Sequence, residues 1–311
     1  MLRLLQWVGR TGRYWLIVGL VVGLALPEIT LLVRPWIGEL IAALLVVTAV
    51  RVGARAALGS MGDVRSAFAA VGFLQIVLPL AVLAAVYAFG LLSVPLALVI
   101  ALLLSAPSVT GAPNFVAMVG GDPAPGMRIL ILGTLLFPLT ALPLLLVVDP
   151  LGGGVWASLR LAFVLLTVIL GAVAVGFALR ALVPSLGDER NRSALDGVAA
   201  LLLAVVVVGL MSAIGPLLRS EPLTLLMWFI AAVVVNFGLQ WITFTVLKNR
   251  RPDEALPVAV YSGNRNIALF LTVLPEQVAA PMMVFIGCYQ IPMYLTPALV
   301  AKFNRALARA G

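Results

Sequence analysis

Ten apolar stretches follow one another along the chain, at about 14–30, 36–56, 68–90, 94–120, 126–148, 155–181, 195–218, 222–247, 256–275 and 278–303. Each is long enough to cross a bilayer as a helix. The hydrocarbon core holds no water to satisfy an exposed peptide group, so a spanning segment must be a helix or part of a closed barrel. Continuous apolar runs exclude the alternating pattern of a barrel. The expected fold is therefore an all-α integral membrane protein with ten transmembrane helices. Composition points the same way, because a chain that is 63% hydrophobic and 10% charged has too little polar surface to cover one water-soluble core.

The residues that are scarce exclude several classes of function. One cysteine, Cys288, permits no internal disulfide, and without a single histidine there is no imidazole metal ligand or proton relay. No metal and no cofactor is expected. A membrane-embedded enzyme would need a converging nucleophile and base, and none can be assembled, so the chain is not read as an enzyme. The formal charge of +8 does not point to nucleic acid, since basic residues beside apolar spans are what membrane topology itself demands. Arg3, Arg10 and Arg13 precede the first apolar run as in a signal peptide, but no small-residue cleavage site follows, and the run is kept as a helix.

Threading the ten spans alternately through the membrane leaves Arg34, Arg160 and Arg219 on one side and Arg265 within a span. All other lysines and arginines fall on the opposite side. The positive-inside rule then puts both termini in the cytoplasm of a multi-pass protein of the inner (plasma) membrane.

The link Asp149-Pro150-Leu151-Gly152-Gly153-Gly154 divides the spans into two groups of five, 1–148 and 155–311. An odd number per group makes the second start from the opposite side, so the halves are expected to be inverted repeats. The fourth span is interrupted around Pro107, Thr110, Gly111, Pro113 and Asn114, where prolines and glycine break the helical ladder. The ninth, which is the fourth of its own half, is interrupted at Ser262, Gly263, Asn264, Arg265 and Asn266. Breaks at matching places in inverted halves point to a transporter's midplane binding site, where freed amides and carbonyls meet solute. Two asparagines and an arginine at mid-span are costly facing lipid and must face protein or a water-filled cavity.

Two segments carry a family resemblance: Pro107-Ser108-Val109-Thr110-Gly111-Ala112-Pro113-Asn114, closing with Gly121-Asp122, and Gly263-Asn264-Arg265-Asn266. With ten helices in two inverted fives, they make the chain resemble the bile acid:sodium symporter family. The resemblance implies a panel domain (about 14–56 and 155–218) and a core domain (about 68–148 and 222–303) with crossed broken helices. It also implies a secondary transporter of a small organic solute, an amphipathic organic anion, working by alternating access as the core moves against the panel. A membrane-embedded sensor or scaffold is the alternative, but short tails and loops leave no soluble signalling domain.

The departures from the family concern sodium. Tyr261 stands where the family's ninth helix typically carries a sodium-coordinating glutamate, and Arg265 where it has a glutamine. Ala112 and Pro113 stand where the fourth helix offers serine and asparagine, and Gly126 and Leu130 where the fifth offers hydroxyls. A cation wants several oxygen ligands and a carboxylate. Indifference to sodium is the expectation, with Arg265 as a built-in cation. Gln75, near Pro79, is read either as a substrate contact or as an interhelical hydrogen bond. Asn236 and Gln240 share a helix face and read as polar glue between helices. The Gly19 and Gly23 pair is a weak helix-packing motif.

Overall fold

The computed structural model describes residues 2–54, 64–149 and 152–310, and these are helical almost throughout. Pro150 and Leu151 of the expected linker, and the end of the second span beyond residue 54, lie outside the described residues. The helices are α1 (Leu2–Arg10), α2 (Gly12–Ala25), α3 (Pro27–Val33), α4 (Ile37–Val52), α5 (Val64–Gly72), α6 (Leu78–Ala88) and α7 (Pro95–Ser105). They continue with α8 (Ala112–Met118), α9 (Ala124–Val148), α10 (Gly154–Leu182), α11 (Glu189–Ser220), α12 (Pro222–Leu247), α13 (Pro252–Gly263) and α14 (Glu276–Ala310).

Seven helical segments among the described residues are long and apolar enough to cross a membrane. They fit a multi-pass membrane protein. The other three apolar runs are the first, the fourth and the ninth. The fourth is split into helices of 11 and 7 residues, and the ninth into a 12-residue helix and a 6-residue 3-10 turn (Ile267–Thr272). The first run is the 14-residue α2. One boundary needs correction: the first run was expected to continue to residue 30, but the helix stops at Leu26, and Pro27–Val52 form the next long segment. Pro27 has no N–H to donate and disfavours helical geometry in the residue before it, and Leu26 takes φ −125 and ψ 75.

The chain divides into two compact units. One comprises Met1–Gly59, Pro150–Leu225 and Ala268–Gly287. Within it, α1 and α2 lie along α11, and α4 packs on α10 and α11. Close approach is set by small residues: a Cβ on Gly19 would stand 2.6 Å from the Ala204 carbonyl oxygen, and one on Gly23 2.7 Å from the Met211 Cβ. The GxxxG pair is therefore a helix seam. At one end of this unit Arg34 pairs with Glu276 at 2.8 Å.

The second unit comprises Ser60–Asp149, Leu226–Ile267 and Cys288–Gly311. Its α12 shows how a membrane helix reverses the soluble pattern. Leu226, Ile230, Val234 and Trp241 are exposed, and the buried positions are Ala232, Asn236 and Gln240. These three are spaced by four and so form one inward stripe. The polar side chains turn inward because lipid cannot hydrogen-bond them. Between α5 and α6 the backbone opens into a π turn, Phe73–Val77, just ahead of Pro79. Such turns are rare and lie frequently at functional sites.

Candidate functional site

Both interruptions read from the sequence are non-helical. Pro107 drives Ala106 to extended geometry (φ −69, ψ 151) and ends α7 at Ser105; the chain re-enters a helix only at Ala112, with Pro113 in the first turn. On the other side α13 ends at Gly263, and Asn264 leaves the helical region at φ −106, ψ 88. The freed peptide groups then pair with one another. The Val109 N–H donates to the Asn264 carbonyl at 2.8 Å, the Asn266 N–H donates to the Pro107 carbonyl at 2.7 Å, and Ser108 and Arg265 form an antiparallel bridge. Each break is the hydrogen-bond partner that the other lacks in its own helix.

Arg265 closes this crossing. Its side chain is buried, at 2% exposure, and no carboxylate pairs with it among the described residues. The guanidinium instead takes backbone oxygens from both interrupted helices: Nε donates to the Ser262 carbonyl at 2.6 Å and Nη1 to the Ala106 carbonyl at 2.9 Å. These are carbonyls at the C-terminal ends of α13 and α7, where unsatisfied oxygens and the helix dipole concentrate partial negative charge. A fixed cation is stabilised at the point where the two ends meet. Nη2 is buried and has no acceptor among the described residues. The Arg265 backbone N–H reaches the Tyr289 hydroxyl at 3.3 Å, and that hydroxyl donates to the Gly263 carbonyl.

A polar network backs the crossing. Asn236 Nδ2 donates to the Gly263 carbonyl at 2.7 Å and lies 3.2 Å from Asn264 Oδ1. Gln240 Nε2 donates to Asn236 Oδ1 at 2.7 Å and to the Thr296 hydroxyl at 3.1 Å. The Ser108 hydroxyl donates to the Tyr261 carbonyl at 2.7 Å. The approach of α12 to α13 requires Gly263, since a Cβ there would stand 2.4 Å from the Asn236 carbonyl oxygen. Asn236 and Gln240 thus hold two helices together, as read from the sequence, and the place they hold is the break itself.

Tyr261 turns away from this network into an apolar cluster with Ala112, Phe115, Val116, Leu130, Val260 and Met293. Its ring fills the space that Gly126 leaves: a Cβ on Gly126 would meet ring carbons at 2.2 Å. The phenol oxygen is buried with no partner among the described residues. Gln75 belongs to the π turn and is buried; its Oε1 accepts from the Thr140 hydroxyl at 2.8 Å. Its Nε2 lies over Gly133, where an added Cβ would meet it at 2.4 Å and the Pro107 Cβ at 3.7 Å. Of the two readings of Gln75, the geometry supplies an interhelical hydrogen bond, and it places that bond beside the fourth-span break.

The crossing gathers Pro107, Ser262, Gly263, Asn264, Arg265 and the backbone of Asn266, with Gln75 alongside. The side chains of Thr110 and Asn266 are half-buried, and Gly111 forms the turn into α8. Asn114 differs from the rest: it sits on α8 with an exposed side chain, off the face that buries Ala112, Phe115 and Val116. Five residues of the network were not selected as site residues from the sequence: Ser108, Tyr289 and Thr296, together with Asn236 and Gln240, which were read as polar glue. For Tyr289 and Thr296 the signal was periodicity, since Tyr289, Met293 and Thr296 are four and three apart on α14 and share one buried face.

No protein-family model matches the chain, and no curated protein matches it.

Proposed function

We propose that the chain is a secondary transporter that moves a small organic solute, an amphipathic organic anion, by alternating access at the crossed broken helices. The observation that carries this reading is the reciprocal backbone pairing of residues 107–109 with 264–266, closed by a buried arginine. A helix bundle whose only task is to sit in lipid has no use for two interruptions that satisfy each other, whereas a transporter needs polar backbone inside the membrane.

In this reading the seven long helices are joined by α2 and by the two broken spans, giving ten crossings in two inverted groups of five. The resemblance to the bile acid:sodium symporter family supports that count, with a panel (about 14–56 and 155–218) moving against a core (about 68–148 and 222–303); of the core range, Ala268–Gly287 falls in the compact unit that holds Met1–Gly59. Both termini are cytoplasmic, and the Arg34–Glu276 pair lies at the outer face. Arg265 holds the two helix ends with Nε and Nη1 and keeps Nη2 for an acidic group of the solute. The Tyr261 ring against Gly126 and Leu130 takes the room that a sodium ion would need, and the guanidinium repels a second cation.

The test is uptake by proteoliposomes containing the purified protein, presented with radiolabelled organic anions and with neutral and cationic analogues of similar size. Saturable uptake of anions above that of empty liposomes is expected. Uptake no greater than in empty liposomes across the series would leave the crossing without this function.

A further inference from the structure

In the same unit as the crossing, at the ends of α5, α9, α12 and α13, lies a cleft of about 190 Å³. Its floor is apolar: Ala67, Ile129 and Val258, all buried, belong to one packed cluster. Its mouth is polar and mainly basic. Arg251 donates to the Ser66 hydroxyl and pairs with Glu254 at 3.2 Å, so that guanidinium is already engaged. Arg128, half-buried on the first turns of α9, also lines the cleft and has no ion pair or side-chain hydrogen bond among the described residues. Lys248 and Arg250, both exposed, adjoin the rim in sequence. The cleft therefore offers one carboxylate against two guanidiniums, one of them unspent, above an apolar base.

We propose that this cleft seats the phosphate of an anionic phospholipid of the surrounding bilayer. The cleft has room for a phosphate and the adjoining glycerol atoms but not for whole acyl chains. The chains leave over the outward faces of α5 and α12, where Phe68 and Val246 are exposed. Helix ends stand at headgroup level, and basic clefts between membrane helices on the cytoplasmic side are suited to anionic headgroups. A lipid is favoured over a free anion because its acyl chains, outside the cleft, cover the exposed Phe68 and Val246. The proposal is independent of the transport reading.

The test is native mass spectrometry of the full-length protein released from nanodiscs made of phosphatidylglycerol and phosphatidylcholine in equal amounts, scoring lipid that stays bound. The wild type is expected to retain phosphatidylglycerol preferentially. Arg128→Gln should lower that retention about fivefold, the effect of one cation beside an anionic headgroup, and Arg128→Lys should restore most of it. Ala70→Phe, which obstructs the cleft without removing a charge, should lower it as well. Arg219→Gln, in the other compact unit and away from the cleft lining, should leave it nearly unchanged. Equal retention of both lipids by the wild type, or undiminished phosphatidylglycerol on Arg128→Gln, would overturn the proposal. So would full displacement of the lipid by millimolar inorganic phosphate, since the cleft would then be a free-anion site.

Discussion

Arg265 ties the ends of two interrupted helices together, and its geometry separates two roles that charge alone would not. A lysine keeps the charge but has one nitrogen, which cannot reach the Ser262 and Ala106 carbonyls together as the fork of Nε and Nη1 does. Arg265→Met leaves both oxygens buried without a donor, at about 1–3 kcal/mol each. The expected order of thermal midpoints in detergent is wild type, then Arg265→Lys, then Arg265→Met; an Arg265→Met variant as stable as the wild type would show that the guanidinium is not what joins the helix ends. Tyr261 and Gly126 form a second coupled pair. Gly126→Ala drives a methyl into the Tyr261 ring and should cost about 1–3 kcal/mol as an overpacked site. Combined with Tyr261→Ala, most of that cost should vanish, so the double variant's loss of thermal midpoint should fall well short of the sum of the single losses. The sequence marks Arg265 clearly, because an arginine at mid-span has few alternatives. It marks Tyr261 only as an absent carboxylate, since nothing in the letters says that a glycine on another helix has made room for the ring.

At the scale of elements, the two breaks were legible because proline, glycine and asparagine act locally. Pro107 ends α7, and Gly263-Asn264 ends α13, whatever surrounds them. Their pairing was legible only as a requirement that freed peptide groups find partners, and the register of Ser108 opposite Arg265 was not. The π turn at Gln75 was not legible, since neither the Gln75–Thr140 hydrogen bond nor the approach to Gly133 has a local signal in the sequence. The end of the first apolar run was set by hydropathy, which runs on past Pro27, although that proline is the local signal that stops the helix at Leu26. The seam between α2 and α11 provides a prediction of its own. A Cβ on Gly19 strikes backbone, the Ala204 carbonyl, whereas one on Gly23 strikes mainly the flexible Met211 side chain. Gly19→Ala should therefore lower the thermal midpoint more than Gly23→Ala, with the former in the range of about 1–3 kcal/mol for overpacking. Equal effects would mean that the helices separate freely at that seam.

For the whole molecule, hydropathy made the class plain, since apolar runs of bilayer length have no other stable setting. Topology rests on charge placement and is open to direct measurement. α10 is one unbroken helix from Gly154 to Leu182, so its two ends belong on opposite faces. A membrane-impermeant thiol reagent applied to whole cells should label Trp156→Cys and spare Asp188→Cys, while the buried Cys288 stays silent. The reverse pattern would invert the orientation. The central proposal is that the fixed guanidinium of Arg265 at the crossing, with the Tyr261 ring packed beside it, leaves no place for a bound sodium ion. It is tested most directly by solute uptake into proteoliposomes with sodium and with potassium in its place, for the wild type and for the double variant Tyr261→Glu, Arg265→Gln. The account predicts equal rates in the two salts for the wild type and a sodium-dependent rate for the double variant. A wild type that takes up solute only in sodium would contradict it.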